Sequence, residues 1–306
     1  MVEASEIKGR IAGIRETKKI TDAMYMISSA KMRRAVRNQD QTKPYFDALG
    51  EKIGELLRYF PKTENRYFNV AASEERPNQT HGILLITADK GLAGAYNQEL
   101  LRLCESFMAE HPQTNVFIVG EYGRQYFLNK RIPFVEEFRY SAMHPDLMDA
   151  RKICADLLEY YDNEKLDEIS IIYTEYVGTR IGECKRVTLL PLTHTRFDVG
   201  DNAAGTTQKE FLPSPDVVLD GVIPSYLMGF IYGCLVESFC SEQQSRMIAM
   251  KSASDNADEM LKTLQLQYNK MRQASITNEL IEITAGVRAL KRRRKPASGD
   301  IGHEDE

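Results

Sequence analysis

Neither glycine nor proline occurs between Cys234 and Ala285. Those two residues interrupt helices most strongly, so fifty-odd residues can run on without a stop. At 1.5 Å per residue the helix would be roughly 80 Å long, more than one ordinary domain uses. CxxC pairs are missing too. The five cysteines (Cys104, Cys154, Cys184, Cys234 and Cys240) are odd in number and scattered. That excludes a disulfide framework or a zinc site of the usual spacing, and fits free thiols in a reducing cytoplasm. No apolar run approaches the ~20 residues of a membrane helix, and no signal peptide follows Met1. The expectation is a soluble, intracellular chain. His81, His111, His144, His194 and His303 share no ligand spacing and are read as surface or loop residues. Neither a metal cluster nor a nucleophile–base pair is legible, so no catalytic, cofactor-binding or metal-ligating residue is expected. A net charge of −4 and a pI near 5.9 argue against a general nucleic-acid binder.

What is present is periodicity. Met250, Ala253, Ala257, Met260, Leu264, Met271, Ala274, Ile281 and Ala285 repeat at three-four spacing, with polar Gln267 and Asn278 at two seam positions. Such a stripe needs a second helix to cover it. One is available at the N-terminus, where Ile7, Ile11, Ile14, Thr21, Tyr25, Ser28, Met32 and Ala35 repeat the spacing up to the interruption at Pro44. The helix resumes through Tyr45, Leu49, Ile53, Leu56 and Leu57 and stops near Pro61. The two ends are therefore expected to pair as an antiparallel coiled coil.

The middle follows different rules. Residues 62–80 read as a polar loop, and short apolar runs at Gly82–Thr87, Asn115–Gly120, Glu168–Tyr176 and Cys184–Leu192 read as strands, the last two alternating. Helical spacing covers Tyr96–Glu110, Tyr122–Asn129 and about Pro145–Tyr161. The order predicts a small α/β, Rossmann-like domain. A long loop, Thr195–Pro213, leads to the last helix, which begins after Pro215 or Pro224. The predicted layout is a coiled-coil helix at 1–61, an α/β domain at 62–213, a long helix at 214–290 and a disordered charged tail at 291–306.

The turn from Asp89 to Asn97 (DKGLAGAYN) follows a strand and opens a helix, but it has neither the GK[ST] of a P-loop nor GxGxxG. It reads as a tight turn with a capping aspartate. Lys18, Lys19, Lys31, Arg33, Arg34 and Arg37 form a basic face on the first helix, solvated or set against an acidic partner. The run Lys291–Lys295, followed by Pro296, opposes further helix.

Arg10–Ala35 (RIAGIRETKKITDAMYMISSAKMRRA), the DKGLAGAYN turn, Glu242–Arg246 (EQQSR) with Met247–Met250, Asn256–Ala257 and Tyr268–Leu290 (YNKMRQASITNELIEITAGVRAL) resemble the gamma subunit of F-type ATP synthases. The resemblance covers residues 5 to 290. It implies a rotating central shaft inside a ring of three alpha and three beta subunits. The α/β part would be a foot that binds the epsilon subunit and the membrane ring of c subunits. Proton flow would turn the foot, and the shaft would drive the beta subunits, which hold the ATP chemistry, through different nucleotide affinities. No direct membrane insertion and no nucleic acid are implied. The chain would sit peripherally on the cytoplasmic face of a bacterial plasma membrane.

Residue by residue, Arg272, Gln273 and Thr277 match the RQxxIT segment that contacts the beta catch loop. Met24 lies in KITDAM, near the beta lever, and Asp89 and Lys90 open the turn near the lower rim of the ring. The chain departs from the family at Lys90 (usually arginine), Ala93 (usually cysteine), Met250–Lys251 (usually part of AMD) and in about sixteen extra C-terminal residues. It lacks the cysteine pair of chloroplast members. The rival readings are a coiled-coil scaffold carrying an α/β module and, more weakly, a nucleotide hydrolase.

Overall fold

The computed structural model describes residues 2–60, 65–68, 79–163, 165–178, 182–197 and 214–293. The Thr195–Pro213 loop beyond Phe197 and the tail from Arg294 lie outside the described residues. The chain divides into two compact units, residues 24–250 and residues 1–23 with 251–306.

Unit 24–250 is built on a four-stranded sheet of order β2-β1-β3-β4. Strands β1 (His81–Ile86), β2 (Thr114–Val119) and β3 (Glu168–Glu175) run parallel, and β4 (Glu183–Leu190) is antiparallel on β3. Helices α2 (Tyr96–Glu110) and α3 (Glu121–Lys130) cover one face. Ile83, Leu85, Val116, Ile118 and Ile172 meet Leu100, Cys104 and Phe127 there. On the other face Leu84, Phe117 and Ile171 share a core with Ile153 and Leu157 of α4 (Leu147–Asp162), and with Leu219, Ile223, Leu227 and Ile231 of α5 (Pro215–Arg293). Ile53, Leu56 and Leu57 of α1 (Val2–Tyr59) join the same core.

Several expectations are corrected here. Pro44 does not interrupt the first helix: α1 runs through it. The burial of Ile53, Leu56 and Leu57 beyond it offsets the hydrogen bond that proline removes. The last helix starts at Pro215 with Pro224 inside it. Proline suits a first helical position, and Ser214 Oγ accepts from Val217 N at 3.4 Å. That helix also carries an 18-residue stretch apolar enough, by length and composition, to cross a membrane, contrary to the expectation that none exists. Its Leu219, Ile223, Leu227 and Ile231 are fully buried in the core just described. β3 does not alternate, because both of its faces are covered. His81 is buried in β1 rather than on a loop. The polar 62–80 segment contains a short turn, residues 66–68, that buries Tyr67 and Phe68.

α1 and α5 also meet within this unit. The ring of Phe46 occupies the space where a side chain on Gly229 would begin, so only glycine fits there.

In the other unit, Lys18 Nζ reaches both oxygens of Asp258 at 2.6 Å, and Ser254 Oγ donates to Asp22 at 2.6 Å. Four residues forward on α1 match four residues back on α5, so the pairing is antiparallel. At that register Val2 comes level with about residue 274. The covered stripe of α5 runs through Ser254, Ala257, Asp258, Leu261, Leu264, Tyr268 and Met271. Met260, taken as a seam residue, is 59% exposed. Ser254 replaces Ala253 as the buried position, and from there every other seam position falls one residue later than expected. Tyr25 is likewise exposed while Met24, beside it on α1, is half-buried. From Ile276 to Arg288 every α5 residue is exposed, including Ile281 and Ala285 of the expected seam, since α1 has ended.

Candidate partner-contact site

The turn between β1 and α2 holds two of the six expected contact residues. Asp89 does not cap α2, whose N-cap is Ala95 without a side-chain bond. Its carboxylate instead accepts from Glu121 N (2.9 Å) at the start of α3, and from Ser141 Oγ (2.6 Å) and Met143 N (2.9 Å). A carboxylate at a helix N-terminus is stabilised by the helix dipole and satisfies an unpaired N–H. Gly120 makes this approach possible. Its φ is +96° and a Cβ there would collide with the carbonyl of Thr87. Asn97 Oδ1 accepts from Ala88 N at 2.9 Å, fixing the other side of the turn.

The backbone of the turn is held from α5. Arg246 Nη2 donates to Lys90 O (3.2 Å) and Gly91 O (3.0 Å), and pairs with Glu242 Oε1 at 2.6 Å. Both side chains are nearly buried, at 10% and 8% exposure. Burial pushes the Glu242 carboxyl up, and the adjacent Arg246 opposes that rise. Further bonds tie this stretch of α5 to the sheet: Tyr96 Oη donates to Ser238 O, Ser241 Oγ donates to Glu175 O, and Gln244 Nε2 donates to Gly178 O. The EQQSR block thus has a structural job that no spacing rule revealed. The signal was a charged pair at i, i+4 on an otherwise core-facing stretch.

A groove of about 290 Å³ lies beside this turn, lined by Met24, Ile27 and Lys31 of α1, Lys90 and Leu92 of the turn, Met143, and Phe239 of α5. Met24 and Lys90, far apart in sequence, therefore share one surface that mixes apolar side chains with Lys31, Lys90, Glu242 and Arg246. Asp89 faces a separate groove with Arg124, Arg139 and Tyr140. The remaining three expected residues, Arg272, Gln273 and Thr277, are exposed on α5 in the other unit, where Thr277 Oγ1 donates to Gln273 O at 2.9 Å.

Among the described residues no group of histidine, cysteine and carboxylate side chains could hold a metal. All five cysteines are free, and burial pushes the thiols of Cys104, Cys154 and Cys240 up to about 12.

The chain is similar to several known proteins. The ATP synthase family model matches residues 3–290. The ATP synthase gamma chain of Acetivibrio thermocellus is 36% identical over 297 residues, spanning 95% of this chain and all of that one. The gamma chain of Ruminiclostridium cellulolyticum is 37% identical, over 94% and 98% of the two chains. That of Acetobacterium woodii, described as sodium ion specific, is 32% identical over 93% and 98%. Among solved structures, a chain of the Euglena gracilis mitochondrial ATP synthase (OSCP/F1/c-ring) superposes with a TM-score of 0.64 at 19% identity, covering 98% of this chain and 99% of that one. A chain of the Tetrahymena thermophila mitochondrial ATP synthase central stalk and c-ring gives 0.57 at 23%, covering 77% and 99%. These two share the fold of a long helix pair with an α/β domain.

Proposed function

The chain belongs to the ATP synthase gamma family, the central-stalk rotor subunits of F-type ATP synthases, and from that premise we propose how its residues do that work. The paired ends of α1 and α5 turn inside the ring of alpha and beta subunits. The α/β unit meets the epsilon subunit and the ring of c subunits, on the cytoplasmic face of a bacterial plasma membrane. Ion flow through the membrane ring turns the shaft, and the beta subunits carry out the ATP chemistry. What this chain supplies is binding energy that differs with angle, a coupling between distant sites.

The antiparallel register fixed by Lys18–Asp258 and Asp22–Ser254 is the observation that carries this reading. It joins the first and last helices of one chain into a single element, which torque transmission requires. The match to gamma chains over 95% and 94% of this chain disfavours a generic coiled-coil scaffold. Contacts are assigned on α5, α1 and the β1–α2 turn: Arg272, Gln273 and Thr277 to the beta catch loop, Met24 near the beta lever, and Lys90 with Asp89 near the lower rim of the ring. Asp89 also holds that turn in place through its bonds to Glu121, Ser141 and Met143.

Reconstitution with the alpha and beta subunits tests this. The native chain should assemble with them and support ATP turnover. Replacing both Arg272 and Gln273 by alanine should lower coupled turnover about tenfold, since a charged hydrogen bond contributes ~1.5–3 kcal/mol and each ~1.4 kcal/mol is a decade. Turnover unchanged by that double substitution would remove the catch assignment.

A further inference from the structure

Leu92 stands in an unusual position for its type. Its φ is +65°, in the left-handed region that disfavours a branched, bulky side chain. It is also 64% exposed, so no buried contact offsets the strain. A leucine that is both strained and uncovered is unfavourable for the folded chain alone, and such outliers persist where the surroundings over-determine them. Here the surroundings are explicit. Asp89, three residues before, is tied to Glu121, Ser141 and Met143. The carbonyls of Lys90 and Gly91 are held by Arg246, itself locked by Glu242. Gly94, two residues after, takes φ +59°. The turn is clamped before its tip by these bonds, Ala93 just after the tip is buried, and the tip itself is apolar.

We infer that Arg246 is a positioning residue that presets the 89–95 turn, so that Leu92 projects as the apolar, specificity-determining contact with the beta subunit. This rests on the gamma-rotor reading and deepens it. The partner surface must offer an apolar socket for Leu92 with carboxylates beside it, because Lys90 and Lys31 flank the tip on the same groove. Presetting keeps the cost of ordering the turn out of the contact itself.

The test uses the complex reconstituted with alpha and beta subunits. If the native chain neither assembles nor supports ATP turnover, the rotor reading fails before the inference is reached. Given assembly, Leu92→Asn is the informative variant, because asparagine tolerates the left-handed conformation but removes the apolar tip. It should leave the melting temperature of the full chain level or higher while lowering coupled turnover about tenfold, and Leu92→Met should restore most of it. Arg246→Lys keeps a charge for Glu242 but loses the planar fork, and should also lower turnover about tenfold. Combined with Leu92→Asn it should add little, because both act through one contact. Native turnover in Leu92→Asn, or losses that multiply in the double variant, would overturn the inference. Should Arg246→Lys not fold, the Leu92 pair decides the matter alone.

Discussion

The two units bury themselves in opposite ways. In the sheet unit, burial is apolar and two-sided, with Leu84, Leu85, Phe117, Ile118 and Ile171 all fully enclosed. In the helix-pair unit, the buried described residues are Ile11, Thr21, Ser254 and Ala257, two of them polar. Its specific contacts are Lys18 with Asp258 and Asp22 with Ser254. Hydrophobic burial is non-directional and supplies stability. A buried hydroxyl on a carboxylate supplies register, since sliding one helix by a turn would leave both polar groups unpaired. The first arrangement resists unfolding, and the second resists slipping.

The sharpest way to break the contrast is in the sheet. Phe117→Ala should cost about 3–5 kcal/mol, read as a lower midpoint in urea, because it opens a cavity in a closed core. A smaller but pH-dependent effect is expected at Glu237, whose Oε2 is buried without a hydrogen-bond partner among the described residues. Burial raises its carboxyl above the ordinary value, with Glu175 adding to the rise. A raised carboxyl is fully compatible with the fold below the unfolded value of about 4.3, and costs stability as pH rises through the folded value. Glu237→Gln should therefore raise the melting temperature at pH 7 and make no difference at pH 4. A shift of equal size at both pH values would mean that charge is not the cause.

The smallest effect belongs to the helix pair. Lys18 and Asp258 are partly exposed, at 29% and 45%. Asp258→Asn should lower stability only slightly, and added salt should shrink even that difference. Its register should suffer more than its stability: thiol cross-linking between introduced pairs along the two helices would find more than one spacing. A single retained spacing would show that apolar contacts set the register as well.

Much of this was legible in the sequence, and the misses have physical causes. The strands and helices of the sheet unit follow from short apolar runs and 3.6-residue spacing, because their burial is apolar. The coiled coil was legible as a pair of stripes but misplaced by one residue at alternate positions, because Ser254 is buried through a hydrogen bond to Asp22 that hydrophobicity does not register. The stripe past Ile276 suggested pairing where α1 has already ended, since apolar spacing says that a cover is needed without saying whose. Pro44 and Pro224 looked like boundaries because their cost is local, whereas the packing that outweighs it comes from distant strands. At the candidate site, Met24, Asp89 and Lys90 were named by resemblance alone. The clamp of Arg246 and Glu242, and the left-handed Leu92, leave no periodic trace.

The seat of Phe46 in the gap at Gly229 has a mechanical consequence. Two smooth helices can creep along one another under load, because adjacent ridges and grooves differ little in energy. A ring filling a notch where the facing chain has no side chain acts as a key in a keyway: to move axially by even one residue, the ring would have to ride over a neighbour's side chain. Here that notch lies between α1 and α5 within the sheet unit, so drive applied to one helix there passes to the other without backlash.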